Sequence, residues 1–496
     1  MTLQPAQINL EQWESHYAKL RRSGVCWPDY CSPLSRHVGE GDRRLQSLLF
    51  DNSPAAFRLW NFLLTEEDRL HRSRAEGTRL VGTMKDLGTV PVMAYSLDGV
   101  AAFYPDGAWW IPCVMELGAG LLEIADQMGV DESFCPVRAM LGAFINEAHF
   151  PIPDLLVCSA GAVCDDFSAI SQRLNGMGFP ILWWEIPHRR IPEKGEKALE
   201  LPGGCLASED QVLLVKAELQ RVRSALEDLA GQKLEDARLQ AGIRKANQVR
   251  LLLKQLRDMA YGASICPMPA LEMLIAEMLA LHFCSDREEA ESVLSDLVAV
   301  IQARLQMRSG FGKEKAARIF WVNPVADLRV MNLLEECGGR VCGTEYLFTH
   351  ALDLIPEDMD PLEALARTAL ADPMVGSAAA RAERICRDIG RFGAEAVVIS
   401  RIPGASHCAL EGKIISEAVQ EHLGLPVLEI EIPPLTDSMS PTIRTRLEAL
   451  VETVKSGTHG FSTWEFGLKQ AKPKDGRDSD FDTAPEEREE EVEEIL

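Results

Sequence analysis

The chain reads as an α/β protein of two parallel-sheet units, and three observations carry that reading. Short apolar runs alternate with helical stretches, the pattern of a parallel sheet covered by helices. The alternation occurs twice, over about 79–186 and again over 317–454. Between the two, from Ser208 to about Ser309, apolar residues recur at three- and four-residue spacing (Val212, Val215, Leu219, Val222, Leu226), which predicts a helical connector. The expected division is an N-terminal helical extension (1–77), a first α/β domain (78–207), the connector (208–312), a second α/β domain (313–471) and an acidic tail (472–496).

Element by element, the stretch to about Gly77 is amphipathic and predicts helix. Arg79–Met84 and Val90–Tyr95 predict strands, and a helix follows from about Met115 to Met128. Asp154–Cys158 is the next strand, a helix starts near Asp165, and Ile181–Ile186 closes the first unit. The second unit opens with the strand Ala317–Val322, ended by Asn323-Pro324, and a helix then runs through about Cys337. Ala394–Ser400 is a buried strand and Pro426–Glu431 another. Ser440–Val454 makes the last helix, with Pro441 in its first turn, where the missing N–H costs nothing.

Composition excludes several classes. With 496 residues, 46% hydrophobic, the chain can bury a large core. The most apolar stretch, Met268–Phe283, is too short to span a bilayer and carries Glu272, Glu277 and His282. The first residues include Gln4, Gln7, Asn9 and Glu11 where a secretory leader would be apolar, so a cytoplasmic protein is expected. A net charge of −24 argues against nucleic acid, because no basic stripe exists to displace counterions. The tail from Lys472 holds eleven acidic and four basic residues and is expected to be a disordered, solubilising end.

Thirteen cysteines without a secretion signal point to a reducing compartment rather than a disulfide scaffold. Cys284, Cys337 and Cys386 sit among apolar neighbours and are expected to pack. No Cys-x2-Cys pair exists to form a zinc knuckle, and Cys26-x4-Cys31 and Cys337-x4-Cys342 lack a second half. Cys135, Cys164 and Cys408 differ, because each follows a predicted strand or tight turn. Ligands of open parallel sheets bind outside the carboxyl ends of the strands, so Cys164 and Cys408 are expected to face each other across one crevice, with Cys135 completing a cup. Three thiolates gathered there can hold an iron–sulfur cluster and leave one iron open.

Phe134-Cys135-Pro136-Val137-Arg138, the run Pro153–Asp165 ending in Val163-Cys164-Asp165, Gly393–Ser400 leading to Cys408, and Ile443-Arg444-Thr445-Arg446-Leu447-Glu448-Ala449 resemble, in order and spacing, successive blocks of the 2-hydroxyacyl-CoA dehydratase and benzoyl-CoA reductase family over roughly residues 80–455. Asn247-x-x-Arg250 resembles that family's connector motif. The chain departs from the family at Asn323-Pro324-Val325, where relatives often carry a Gly-Cys-Pro-like turn, and its Gly343-Thr344-Glu345 segment matches a family turn only loosely. The resemblance implies two flavodoxin-like (Rossmann-like) domains and a [4Fe-4S] cluster held by Cys135, Cys164 and Cys408. It also implies an ATP-hydrolysing iron–sulfur activator that injects one electron, a related subunit or a second copy as dimer partner, and an acyl-CoA substrate whose thioester carbonyl becomes a ketyl radical anion. Arg444 and Arg446 would then organise the crevice or hold CoA phosphate.

Glu147 and His149 lie near the expected crevice and suit a general acid or base for dehydration. Asp165 and Asp166 can cap the following helix or take part in chemistry. His407 can donate to a cluster sulfur, and Ser159 and Ser406 are spare oxygen ligands. Radical dehydration leads the functional readings, followed by reduction of an aromatic acyl-CoA. A double-cubane [8Fe-9S] reductase would need a second trio, for which Cys113, Cys266 and Cys342 are the available residues. Two other classes remain: a non-catalytic electron-relay or activator-docking subunit, and a zinc-stabilised binding protein.

Overall fold

The computed structural model describes residues 2–7, 48–84, 88–106, 118–147, 150–282, 285–312, 315–433 and 440–457, with residues 64, 118, 119, 280–282, 350, 408 and 409 described by backbone alone. Cys26, Cys31, Cys113, Cys284, His149 and the acidic tail lie outside them.

In chain order the strands are β1 (Thr2–Leu3), β2 (Arg79–Met84), β3 (Val100–Phe103), β4 (Leu155–Gly161), β5 (Ile181–Ile186), β6 (Ala198–Glu200), β7 (Leu206–Ser208), β8 (Gly310–Phe311), β9 (Ala317–Val322), β10 (Gly339–Glu345), β11 (Ala396–Arg401) and β12 (Val427–Glu431). Two four-stranded sheets dominate, in the orders β3-β2-β4-β5 and β10-β9-β11-β12, and every pairing in both is parallel. Numbered within its own sheet, each follows the order 2-1-3-4, the doubly wound pattern of flavodoxin-like folds, whose switch point lies between the first and third strands. The α/β class with parallel sheets is therefore as the sequence predicts. β6 and β7 form a small antiparallel hairpin, and β1 pairs with β8, tying the first residues to the end of the connector.

Strands buried on both faces read as continuous apolar runs, as in Ala317–Val322 and Ala396–Ser400. Four elements differ from the expectation. Val90–Ala94 is a short buried helix rather than a strand, with Pro91 at its start. Val100–Phe103 pairs with β2 instead. Gly339–Glu345, whose Gly343-Thr344-Glu345 end only loosely resembles a family turn, is a strand buried along its whole length, because its polar residues find distant partners. Arg340 donates to the carbonyls of Ala260, Ala263 and Ser264, and Thr344 donates to Glu277, itself fully buried and ion-paired with Arg257. The helix expected directly after Asn323-Pro324 begins only at Arg329.

The connector consists of the helices Glu209–Ala230, Asp236–Gly262, Ala270–His282 and Arg287–Gln306. Asn247 and Arg250, one turn apart, pin the second of these to both halves. Asn247 exchanges hydrogen bonds with Ile355 and also reaches Glu357, while Arg250 donates to the carbonyls of Asp353 and Gly88. No helix among the described residues is long and apolar enough to cross a membrane.

Glu272, on the third connector helix, is fully buried; its carboxylate accepts from the Asp51 amide at 2.9 Å and from Trp60 Nε1 at 3.3 Å. Burial, reinforced by the neighbouring Asp51 charge, pushes its pKa up to about 8. A carboxyl whose folded pKa is raised contributes its full stability below the ordinary carboxylate range and loses it as pH rises through the folded value. The unfolding midpoint should thus fall between pH 5 and 8.5, and Glu272→Gln, which keeps the acceptor but cannot ionise, should flatten part of that fall. Thermal melts across this range check it, and parallel profiles for the two proteins would contradict the assignment.

Candidate functional site

Both sheets turn their carboxyl ends toward one contact. β4 ends at Gly161, where φ is +98° and an added Cβ would sit 2.4 Å from the Ile186 carbonyl oxygen, so only glycine fits. The next residues lead to Cys164, which stands at the N-terminus of the helix Asp165–Gly176 without capping it through its side chain. β11 ends at Arg401 and leads through Gly404 to the short helix Ser406–Leu410, whose backbone carries Cys408. Cys135 precedes one turn of 3₁₀ helix, Pro136–Arg138. That turn is held by Arg138, almost wholly buried, whose guanidinium donates to the Phe134 carbonyl at 3.1 Å and faces Asp126. The Cys-x-x-Arg spacing thus has a local purpose: the arginine closes the turn that presents the cysteine.

The three cysteine-bearing segments meet. Gly404, at φ +75°, lies so close to Phe134 and Cys135 that an added Cβ would sit 2.5 Å from the Phe134 carbonyl carbon and 2.9 Å from the Cys135 nitrogen. His407 Nε2 lies 2.6 Å from the carbonyl oxygen of Val163, the residue before Cys164. The backbone N–H and the hydroxyl of Ser406 both approach Asp166 Oδ2 at 3.4 Å. Cys135 and Cys164 are half-buried, and the Cys164 thiol points toward Asp166 Oδ2 at 3.7 Å. The side chain of Cys408 lies outside the described residues, so the structure brings together its backbone and the other two loops.

Behind this contact stands a buried charge network. Arg381, wholly buried, pairs with Glu345 at the end of β10, donates to Glu411 Oε2 at 2.5 Å and donates to Asn323 Oδ1 at 2.6 Å. Asn323 takes a left-handed conformation (φ +68°) just past β9 and donates to the Ser400 carbonyl on β11, so one guanidinium joins the ends of three strands. Glu411 lies 3.7 Å from His407 Nδ1. Burial opposes charge on His407, but Glu411 and the Val163 carbonyl outweigh it and raise its pKa. A second contact lies beside the first: after β5, Arg189 donates its amide to the Val375 carbonyl and its guanidinium to the Leu370 carbonyl. Asp372, between these two carbonyl positions, is buried; desolvation pushes its carboxyl up to about 7.

Several expected roles change place. His407 spends its Nε2 on a backbone carbonyl across the contact rather than on a sulfur. Asp166 bridges to Ser406 instead of capping its helix, and burial raises its pKa. Ser159 is buried inside β4. Glu147 is exposed and ends the helix Ala139–Asn146 on the side away from the Cys135 turn, roughly 12 Å along the axis. Its partner in that expectation, His149, lies outside the described residues. Cys266 and Cys342 are pushed up to about 12 and 11 by burial, so both thiols keep their protons, and Cys342 sits mid-strand in β10. Arg444 and Arg446 diverge: Arg446 donates to the Glu429 carbonyl on β12, whereas Arg444 pairs with Glu336 at 2.5 Å and lines a cavity of about 400 Å³ with Asp327, Arg329 and Ile432. What sequence reasoning missed is the network of Arg381, Glu411 and Asn323, whose members are separated by 30 residues or more.

Residues 93–454 match the family model described as 2-hydroxyglutaryl-CoA dehydratase, D-component. No curated protein matches the chain.

The close approach at Gly404 can be tested against Gly393, which has a similar φ of +62° but open space around its Cβ position. Gly404→Ala should destabilise the protein by roughly 2 kcal/mol more than Gly393→Ala, since it adds a backbone clash to the same left-handed strain. Denaturant unfolding of the two variants measures the difference, and equal losses would remove the contact between Gly404 and the Cys135 turn.

Proposed function

The chain belongs to the 2-hydroxyglutaryl-CoA dehydratase D-component family, and from that premise we propose that it is the iron–sulfur subunit of a 2-hydroxyacyl-CoA dehydratase, with Cys135, Cys164 and Cys408 as ligands of one [4Fe-4S] cluster. The convergence of the three cysteine-bearing segments carries the reading: Gly404 abuts the Cys135 turn, and Ser406 and His407 reach the residues on either side of Cys164. The donor set fits, because two half-buried thiols and a third on an adjacent helix offer three sulfur ligands, an arrangement that can leave one iron open to substrate. When bound, such a cluster supplies one low-potential electron to the thioester carbonyl of an acyl-CoA, received in turn from an ATP-dependent iron–sulfur activator.

The chain's own residues do the rest. Arg138 holds the Cys135 turn in place through the Phe134 carbonyl. Arg444, on the wall of the 400 Å³ cavity beside the carboxyl ends of β9 and β12, suits an anionic group of CoA, and Arg446 fixes its helix on β12. No acid–base role is assigned to Glu147 in this scheme. The partner component is a related subunit or a second copy of the chain, and the thiol-rich composition suits the reducing cytoplasm.

Anaerobic loading with ferrous iron and sulfide should give a brown protein with about four irons per chain. Cys135→Ala, Cys164→Ala and Cys408→Ala should each lose most of that iron, while Cys386→Ala, in a helix away from the loops, should keep it. Stoichiometric zinc in a colourless preparation, or iron retained in all three loop variants, would overturn the reading. Arg444→Ala should raise KM for the acyl-CoA several-fold at unchanged iron content.

A further inference from the structure

We propose that His407 is a positioning residue that clasps the Cys164 loop to the Cys408 helix before any metal arrives; this rests on the reading of those cysteines as ligands. A carbonyl oxygen only accepts, so the proton at Nε2 belongs to the histidine and the 2.6 Å contact to Val163 is a donated hydrogen bond. The bond joins residues directly adjacent to the two cysteines, one from each sheet. Ser406 and Asp166 form a weaker rung beside it at 3.4 Å. The two loops are therefore laced backbone to side chain on both flanks of Cys164.

The clasp has a rigid backing. His407 is followed one turn later by Glu411, 3.7 Å from Nδ1, and Glu411 is held by the wholly buried Arg381. Arg381 in turn is fixed by Glu345 and Asn323 at the ends of β10 and β9. The ring therefore has one orientation imposed by a chain of partners that ends in the second sheet, the arrangement by which outlying groups orient a metal site. A cluster bound by loops that were not already in register would have to bear the ordering cost itself, and its affinity would fall accordingly.

Amide hydrogen exchange of the metal-free, full-length protein tests the clasp without any cluster. His407→Ala should speed exchange over 162–166 and 404–408 by about tenfold or more, with little change in the connector helices. His407→Gln, whose amide can still donate to Val163, should restore most of the protection. After anaerobic loading, iron should leave His407→Ala faster than wild type when a chelator is added, and His407→Gln should again lie near wild type. Unchanged exchange in His407→Ala, or acceleration spread evenly over the whole chain, would overturn the proposal. If the loops loosen as expected but the wild-type protein takes up no iron, the clasp stands and the cluster reading falls; if wild type takes up iron and the loops do not loosen, the reverse holds.

Discussion

The structure depends on keeping one guanidinium charged where no water reaches it. Arg381 is desolvated completely, a cost of several kcal/mol if left uncompensated. Glu345 and Glu411 return that cost through direct pairing, and Asn323 takes a further donor. Because these partners sit at the ends of β9 and β10 and at the start of the helix Gly412–Leu423, satisfying the charge also fixes where three elements stop. The loop that carries Cys408 lies between the end of β11 and that helix, so its path is set by electrostatics beneath it rather than by its own short sequence.

This arrangement gives the two sheets different parts in one site. The first sheet contributes turns closed by local chemistry: Arg138 on the Phe134 carbonyl and Gly161 beneath Ile186. The second contributes a loop stiffened from within, which reaches over and binds the first. The connector supplies the common frame, since Arg250 touches a carbonyl of each half.

Much of the fold was legible from local pattern, and the exceptions share a cause. β4, β9 and β11 are visible because both faces are largely apolar, and β5 and β12 because they are short runs rich in apolar residues bounded by turn residues. β10 is not, because Arg340, Thr344 and Glu345 look like loop residues until their partners are known, and those partners lie at Ala260, Glu277 and Arg381. Val90–Ala94 is not decided by its sequence, because five apolar residues fit a strand and a buried helical turn equally well. At the site, the cysteines stood out by spacing and resemblance, and Arg138 came with them in one short motif. His407 was noticed only for its neighbour; its acceptor at Val163 is 244 positions away, a distance over which no periodicity speaks.

The lacing of the two loops also has an evolutionary consequence. Gly404 against the Cys135 turn, Ser406 against Asp166 and His407 against Val163 are each specific to a single register. Inserting one residue just before Gly404 would slide all three pairings at once, and one between Val163 and Asp166 would put the two that hold the Cys164 loop out of step, whereas among the described residues the hairpin of β6 and β7 makes no such bond to the crevice. Length variation among descendants of this fold should therefore collect in the hairpin and be purged from the two loops, unless an insertion on one side is matched by a deletion or rebuilding on the other.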